Sequence, residues 1–271
     1  MEGMSSPVSK IEKIEPKVVL HFMRHSIKEN APEKNDMDIL LSEDGRKLAS
    51  EKLDSPLDLR FAHVEGSSRI RTQETAVIVA TQDYGMSTEN IGVGKLRNNE
   101  ALDFNIDESG DYGVRFYKEY KEGRLMSFLI NESDLFAQEK GDMNSSTYSR
   151  MAANIAGIIY KNFEVASRGA SILEKSTNVE NKKNDFERIF VTHATIQESF
   201  LLKVVEKVKG TAERDTLLSL IGEDGFGYTE GFDVTLSKEN GQEKIRVVYK
   251  KGDYIFDEIV PVSTIKEIAQ I

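Results

Sequence analysis

VVLHFMRHS, Val18 to Ser26, is the stretch whose reading decides the fold. Val18 to Met23 is a short β-branched and apolar run, the pattern of a strand buried on both faces, as parallel strands in α/β proteins are. The run ends in Arg24 and His25. The polar segment from Ser26 to Leu41, with Pro32 and several acids, then reads as a loop on the carboxyl side of the strand. A second strand-end histidine lies far downstream in RIFVTHATIQESF, Arg188 to Phe200, where Ile189 to Thr192 deliver His193. The residues after it, TIQESFLLKVVEKVKG, continue as a helix ending near Gly210. Between the two histidines, SSRIRTQETA, Ser67 to Ala76, carries Arg69 and Arg71.

Working outward, Ser42 followed by Glu43 and Asp44 is a helix start, with a side-chain cap and acids at the positive helix end, and a helix of about three turns follows through GRKLASEKL. Leu59 to Val64 is the next strand, ending at Gly66, and IRTQETAVIVATQ has helical spacing at Ala76, Val79 and Ala80. A weaker strand over Ile91 to Leu96 runs into the polar string RNNEALDFNIDESGDYG, a loop over the carboxyl end of the sheet. From Val114 to Val165 the pattern is mostly helical, with a cap insertion around 110–165 and one helix packed on the sheet. EKSTNVENKKNDFER reads as a solvated loop. FDVTLSKENGQEKIRVVYK is a hairpin turning at Asn240 and Gly241 that extends the sheet at an edge. The whole predicts a three-layer α/β sandwich: a mainly parallel central sheet, helices on both faces and a helical cap insertion. Residues 1–16 form a flexible arm and residues 17–271 a single domain.

Composition narrows the function classes. Of 271 residues, 39% are hydrophobic and 30% charged, as in a soluble globular protein, and no apolar run approaches the roughly 20 residues that cross a bilayer. MEGMSSPVSKIEKIEPK lacks the apolar core of a signal peptide, which predicts a cytoplasmic protein without a membrane partner. With zero cysteines there is no disulfide, thiol nucleophile or thiolate metal site. A formal charge of −10, with no basic cluster, argues against nucleic-acid binding. Any phosphate site must then be a locally positive recess in an acidic surface.

The residues at the strand ends suit phosphoryl transfer. A transferring phosphoryl group spreads charge over three oxygens, which arginine meets with planar, bidentate, permanently charged donors. Arg24 and Arg71 are the candidates. Imidazole attacks at neutral pH if one ring proton is held by a fixed acceptor, so His25 is the nucleophile that becomes phosphohistidine. His193 donates to the same oxygens. This chemistry requires no metal and no cofactor. His21 and His63 lack partners and read as core or edge residues, and Ser42 as a helix cap. The aromatic residues of FYKEYKEG fit core packing better than a substrate cap. Arg69 alternates with Arg71, so it points elsewhere or pairs with an acid, with contact to phosphate the less favoured alternative.

Taken together, these strings resemble the histidine phosphatase superfamily, which includes the cofactor-dependent phosphoglycerate mutases. Arg24 and His25 match its Arg-His-Gly motif, with Ser26 in the glycine's place. Ser67, Arg71, Thr75 and Ala76 match its second motif, with Ser68 replacing a proline. His193 matches its strand-end histidine, with Ala194 in place of glycine. Ser26 and Ala194 would narrow the pocket, because glycine allows closer backbone approach. The resemblance implies phosphomonoester hydrolysis on a small phosphorylated substrate or a phosphoprotein. It also implies an acid in the loop after the third strand that protonates the leaving oxygen. Glu100 is the closest match, and spacing does not separate it from Asp103, Asp107 and Glu108. Two alternatives stay open: a phosphoglycerate mutase, disfavoured because the long Arg- and Pro-rich cap stretch is missing, and a catalytically silent phosphate-binding module.

Overall fold

A computed structural model describes residues 17–59, 62–90, 95–175, 185–193, 195–239 and 242–270. The chain opens with β1 (Lys17–Arg24), α1 (Glu43–Ser50), β2 (His63–Gly66), α2 (Ile70–Thr81) and β3 (Leu96–Asn98). Helices α3 (Asp111–Lys121), α4 (Leu125–Asn131), α5 (Ser133–Glu139) and the long α6 (Tyr148–Lys175) follow. Then come β4 (Asp185–Thr192), α7 (Ile196–Lys209), α8 (Thr211–Ile221), β5 (Gly231–Glu239), β6 (Gln242–Lys251), β7 (Tyr254–Val260) and α9 (Val262–Ala269).

These strands form one sheet in the order β3-β2-β4-β1-β5-β6-β7. The neighbours β3, β2, β4 and β1 run parallel, while β5, β6 and β7 are added antiparallel beyond β1. The α/β sheet is therefore mixed, with its parallel half carrying both histidine-bearing strands. Side chains alternate across it as a strand's period of two demands. Leu20, Phe22, Phe190, Phe232 and Val234 belong to the larger core, shared with α6, α7 and α9, whereas Met23, Val64, Ile189 and Val191 meet Ala76, Val77 and Val79 of α2 on the other face. Phe22 stacks between Phe190 and Phe232 at 4.8 and 5.2 Å. Burying each such ring contributes roughly 1.5–3 kcal/mol.

Several boundaries differ from the sequence reading for local reasons. The second strand begins at His63; ahead of it the Leu57 amide bonds the Ala80 carbonyl at 2.8 Å, and Arg60 and Phe61 of the expected strand lie outside the described residues. Helix α1 stops after eight residues. Asp185 to Arg188, read as loop, pair in register with Lys17 to Leu20 and so belong to β4, while Glu174 and Lys175 close α6. Glu239 pairs with Gln242, and the hairpin residues Asn240 and Gly241 lie outside the described residues, as do 1–16, 91–94 and 176–184. Among the described residues no helix is long and apolar enough to cross a membrane.

Candidate active site

Parallel register brings the two histidines together. Arg24 pairs with Thr192 across β1 and β4, so both strands end at one level and the next residue of each, His25 and His193, emerges beside the other. Their rings lie 5.9 Å apart with planes within 8°. The pairing of Gly66 with Val191 brings Ser67 to the same edge, where its amide bonds the Val191 carbonyl at 3.2 Å. Two residues into α2, Arg71 turns back over the strand ends, and its Nε lies 3.4 Å from Nε2 of His25. Thr75 ties the segments: its hydroxyl accepts from the Ser26 amide at 3.0 Å and donates to the Arg71 carbonyl at 2.8 Å.

The His25 ring is oriented by its own strand end. Nδ1 lies 2.6 Å from the Ser26 carbonyl, which can only accept, so Nδ1 carries the proton and Nε2 keeps its lone pair toward Arg71 and His193. Burial, together with the charges of Arg71 and Arg24, pushes the His25 pKa down to about 3. Burial and the nearby Arg69 and Arg71 likewise hold His193 neutral. Ser26, in the glycine position of the resembled motif, is fully buried and donates its hydroxyl to the Gly45 carbonyl at 2.7 Å. Its side chain is thus committed to α1. Ala194 lies outside the described residues.

Arg24 approaches from a different side. Its guanidinium donates to the Phe226 carbonyl at 2.5 Å and lies 5.3 Å over the Tyr228 ring, leaving a buried Nε without a hydrogen-bond partner among the described residues. The segment before β5 is held by Glu198 of α7, which accepts from the Phe226 amide at 2.7 Å. Burial pushes that carboxyl up to about 7. Tyr228 stands 6.1 Å from His25 and is 44% exposed, so it forms part of the rim. Asp36, from the loop after β1, reaches into the cluster: its Oδ2 lies 2.9 Å from both Arg69 Nε and Arg71 Nη2, and 3.8 Å from His193 Nε2. Burial would raise its pKa, but hydrogen bonds from Arg71 and Arg69 hold it well below the usual carboxylate range.

The acids of the loop after β3 separate by their commitments. Asp103 is buried, accepts from the Ser68 amide at 2.8 Å and from the Ser68 hydroxyl, and lies 3.6 Å from Arg69. Asp107 accepts from Ser109 at 2.7 Å and Glu108 from the Tyr117 hydroxyl at 2.8 Å. Glu100 is exposed at the start of the 3-10 turn Glu100–Leu102, and among the described residues its carboxylate makes no hydrogen bond or ion pair. The sequence reading missed Asp36 and Tyr228. Both sit in irregular segments, where periodicity says nothing about direction, although the placement of the Asp36 loop over the strand end was legible.

No family model matches the chain, and no curated protein matches it. Solved structures do. A mycobacterial glucosyl-3-phosphoglycerate phosphatase aligns at TM-score 0.43 and 15% identity, covering 86% of this chain and 96% of its own. Mycobacterial hydrolase 2 aligns at 0.42 and 13%, covering 94% and 97%. A phosphoglycerate mutase of Plasmodium falciparum aligns at 0.37 and 10%, covering 88% and 91%. At these values the likenesses decide nothing about chemistry, which must be read from the site residues.

Proposed function

We propose that this chain is a phosphomonoester hydrolase that works through a phosphohistidine intermediate. The observation that carries the reading is the His25 ring: neutral, its Nδ1 proton held by the Ser26 carbonyl, its Nε2 facing His193 and Arg71. That lone pair attacks phosphorus, and the bond from phosphorus to the ester oxygen breaks. Arg24 and Arg71 offset the charge gathering on the phosphoryl oxygens and neutral His193 donates a hydrogen bond to them, an electrostatic contribution worth on the order of 10²–10³ in rate for a single donor. The unpartnered Nε of Arg24 supports this, since a buried donor left without an acceptor is rare unless a ligand supplies one. The departing oxygen takes a proton from Glu100, the loop acid whose carboxylate is uncommitted. Water then attacks phosphorus and gives a proton to the Glu100 carboxylate as the phosphorus–nitrogen bond breaks, His25 Nε2 leaves, and inorganic phosphate is released.

The substrate is a monoester of a small molecule or of a protein side chain. Purified protein incubated with a panel of phosphomonoesters is expected to release phosphate, and His25→Ala to lower the rate by on the order of 10³ or more, as loss of a covalent nucleophile does. Release from no monoester, or a His25→Ala rate equal to the parent's, contradicts the proposal. Conversion of 3-phosphoglycerate to its 2-phospho isomer, without net phosphate release, would identify a mutase instead.

A further inference from the structure

A carboxylate already occupies Arg71 and approaches His193, two of the three groups assigned to phosphate. Asp36 Oδ2 lies 2.9 Å from Arg71 Nη2 and from Arg69 Nε, and 3.8 Å from His193 Nε2. Its Oδ1 accepts from Lys28 at 3.2 Å, and its main-chain carbonyl accepts from Arg71 Nη1 at 2.5 Å. A carboxylate and a phosphate present similar paired oxygens to a guanidinium, so the two compete for the same donors. Arg71 is 1% exposed and His25 5%, and a phosphoryl group that reaches the Arg71 guanidinium must take the place of Asp36 there. The segment that carries Asp36 is anchored at its ends and not at its tip. Its ends are anchored by buried Ala31, Ile39 and Leu41 and by the Lys28–Leu41 bridge. The turn at its tip, Asp36–Asp38, contains no buried residue. Little but these polar contacts holds the tip down, and a dianion offers the arginines twice the charge of the carboxylate it replaces.

We propose that Asp36 is a latch, an internal occupant of the anion cradle that keeps the site closed until a phosphate dianion displaces it. This inference rests on reading the cradle as a phosphate site. Binding then requires the open form, and the apparent affinity is reduced by the fraction of molecules that are open.

Calorimetric titration with inorganic phosphate at pH 8, on the full chain and on Asp36→Asn and Asp36→Ser, tests the latch. Both variants are expected to bind phosphate about tenfold tighter than the parent, the gain that follows if about a tenth of parent molecules are open. In the unaltered protein, amide exchange across residues 32–38 is expected to speed up when phosphate saturates the site, a readout that needs no variant. Equal or weaker binding by the variants, or exchange that is unchanged or slower, overturns the latch while leaving the phosphate site standing. Absence of phosphate binding in parent and variants alike overturns the phosphate-site reading and the latch with it.

Discussion

At the scale of single residues, the chemistry depends on which atoms are free and which are committed. His25 spends its Nδ1 proton on the Ser26 carbonyl, and so Nε2 is the nitrogen that keeps its lone pair. Among the acids after β3, hydrogen bonds engage Asp103, Asp107 and Glu108 and leave Glu100 open. If Glu100 delivers the proton, Glu100→Gln should slow hydrolysis of an alkyl phosphate by roughly 10²-fold or more, the range general acids supply. Hydrolysis of p-nitrophenyl phosphate, whose leaving group needs no proton, should change little. Comparing the two substrates checks this, and an equal loss on both contradicts the role. The histidines and Arg71 were legible in the sequence because they sit next to strands and a helix whose periodicity fixes their direction. Tyr228 was not, because the segment before β5 is irregular and is held by side-chain bonds such as that from the Phe226 amide to Glu198.

At the scale of elements, the parallel pairs explain why the strand-end pattern could be read: the carboxyl ends of β1 and β4 are buried apolar runs, Phe22–Met23 and Ile189–Val191, and Arg24 and His193 follow them. The last strand gave no comparable signal. β7 puts Ile255 and Ile259 on its outer face, 60% and 56% exposed, so apolar residues lie on both sides and the period of two is lost. Helix α1 shows packing overriding propensity. Ser42 caps it, accepting from the Gly45 amide at 3.0 Å, as its sequence foretold. Gly45 itself lies so close to the loop after β1 that a Cβ would stand 2.0 Å from the Ile27 carbonyl oxygen. Gly45→Ala, which in an exposed helix would stabilise by about 1 kcal/mol, is expected to destabilise by about 2 kcal/mol or more because backbone must move. Urea denaturation measures it, and an unchanged or raised midpoint contradicts the packing account.

At the scale of the whole molecule, buried imidazoles shape stability on both sides of neutrality. His25 is pushed down to about 3 when folded, against about 6.5 unfolded, so below pH 6.5 the unfolded chain takes up a proton that the folded chain refuses. Its contribution is complete above pH 6.5 and is lost as the pH falls toward 3. His21 acts in the opposite sense. Burial lowers its pKa, but the hydrogen bond to Asp233 and the Glu187 carboxylate 3.9 Å away outweigh that and raise it to about 9, so its contribution is complete below pH 6.5 and lost as the pH rises through 9. The stability gap between the parent and His21→Asn should therefore be about 1–3 kcal/mol at pH 6 and shrink by pH 10. Urea midpoints at the two pH values check this, and a gap independent of pH contradicts the assignment.

The most direct measurement is the site of phosphorylation. The protein is incubated with a phosphate donor such as phosphoramidate, quenched in base and mapped by peptide. The label is expected to be acid-labile and base-stable, to lie on the peptide containing His25, and to vanish in His25→Ala. Label on a serine, or none under conditions where the protein turns over a monoester, would contradict nucleophilic attack by His25.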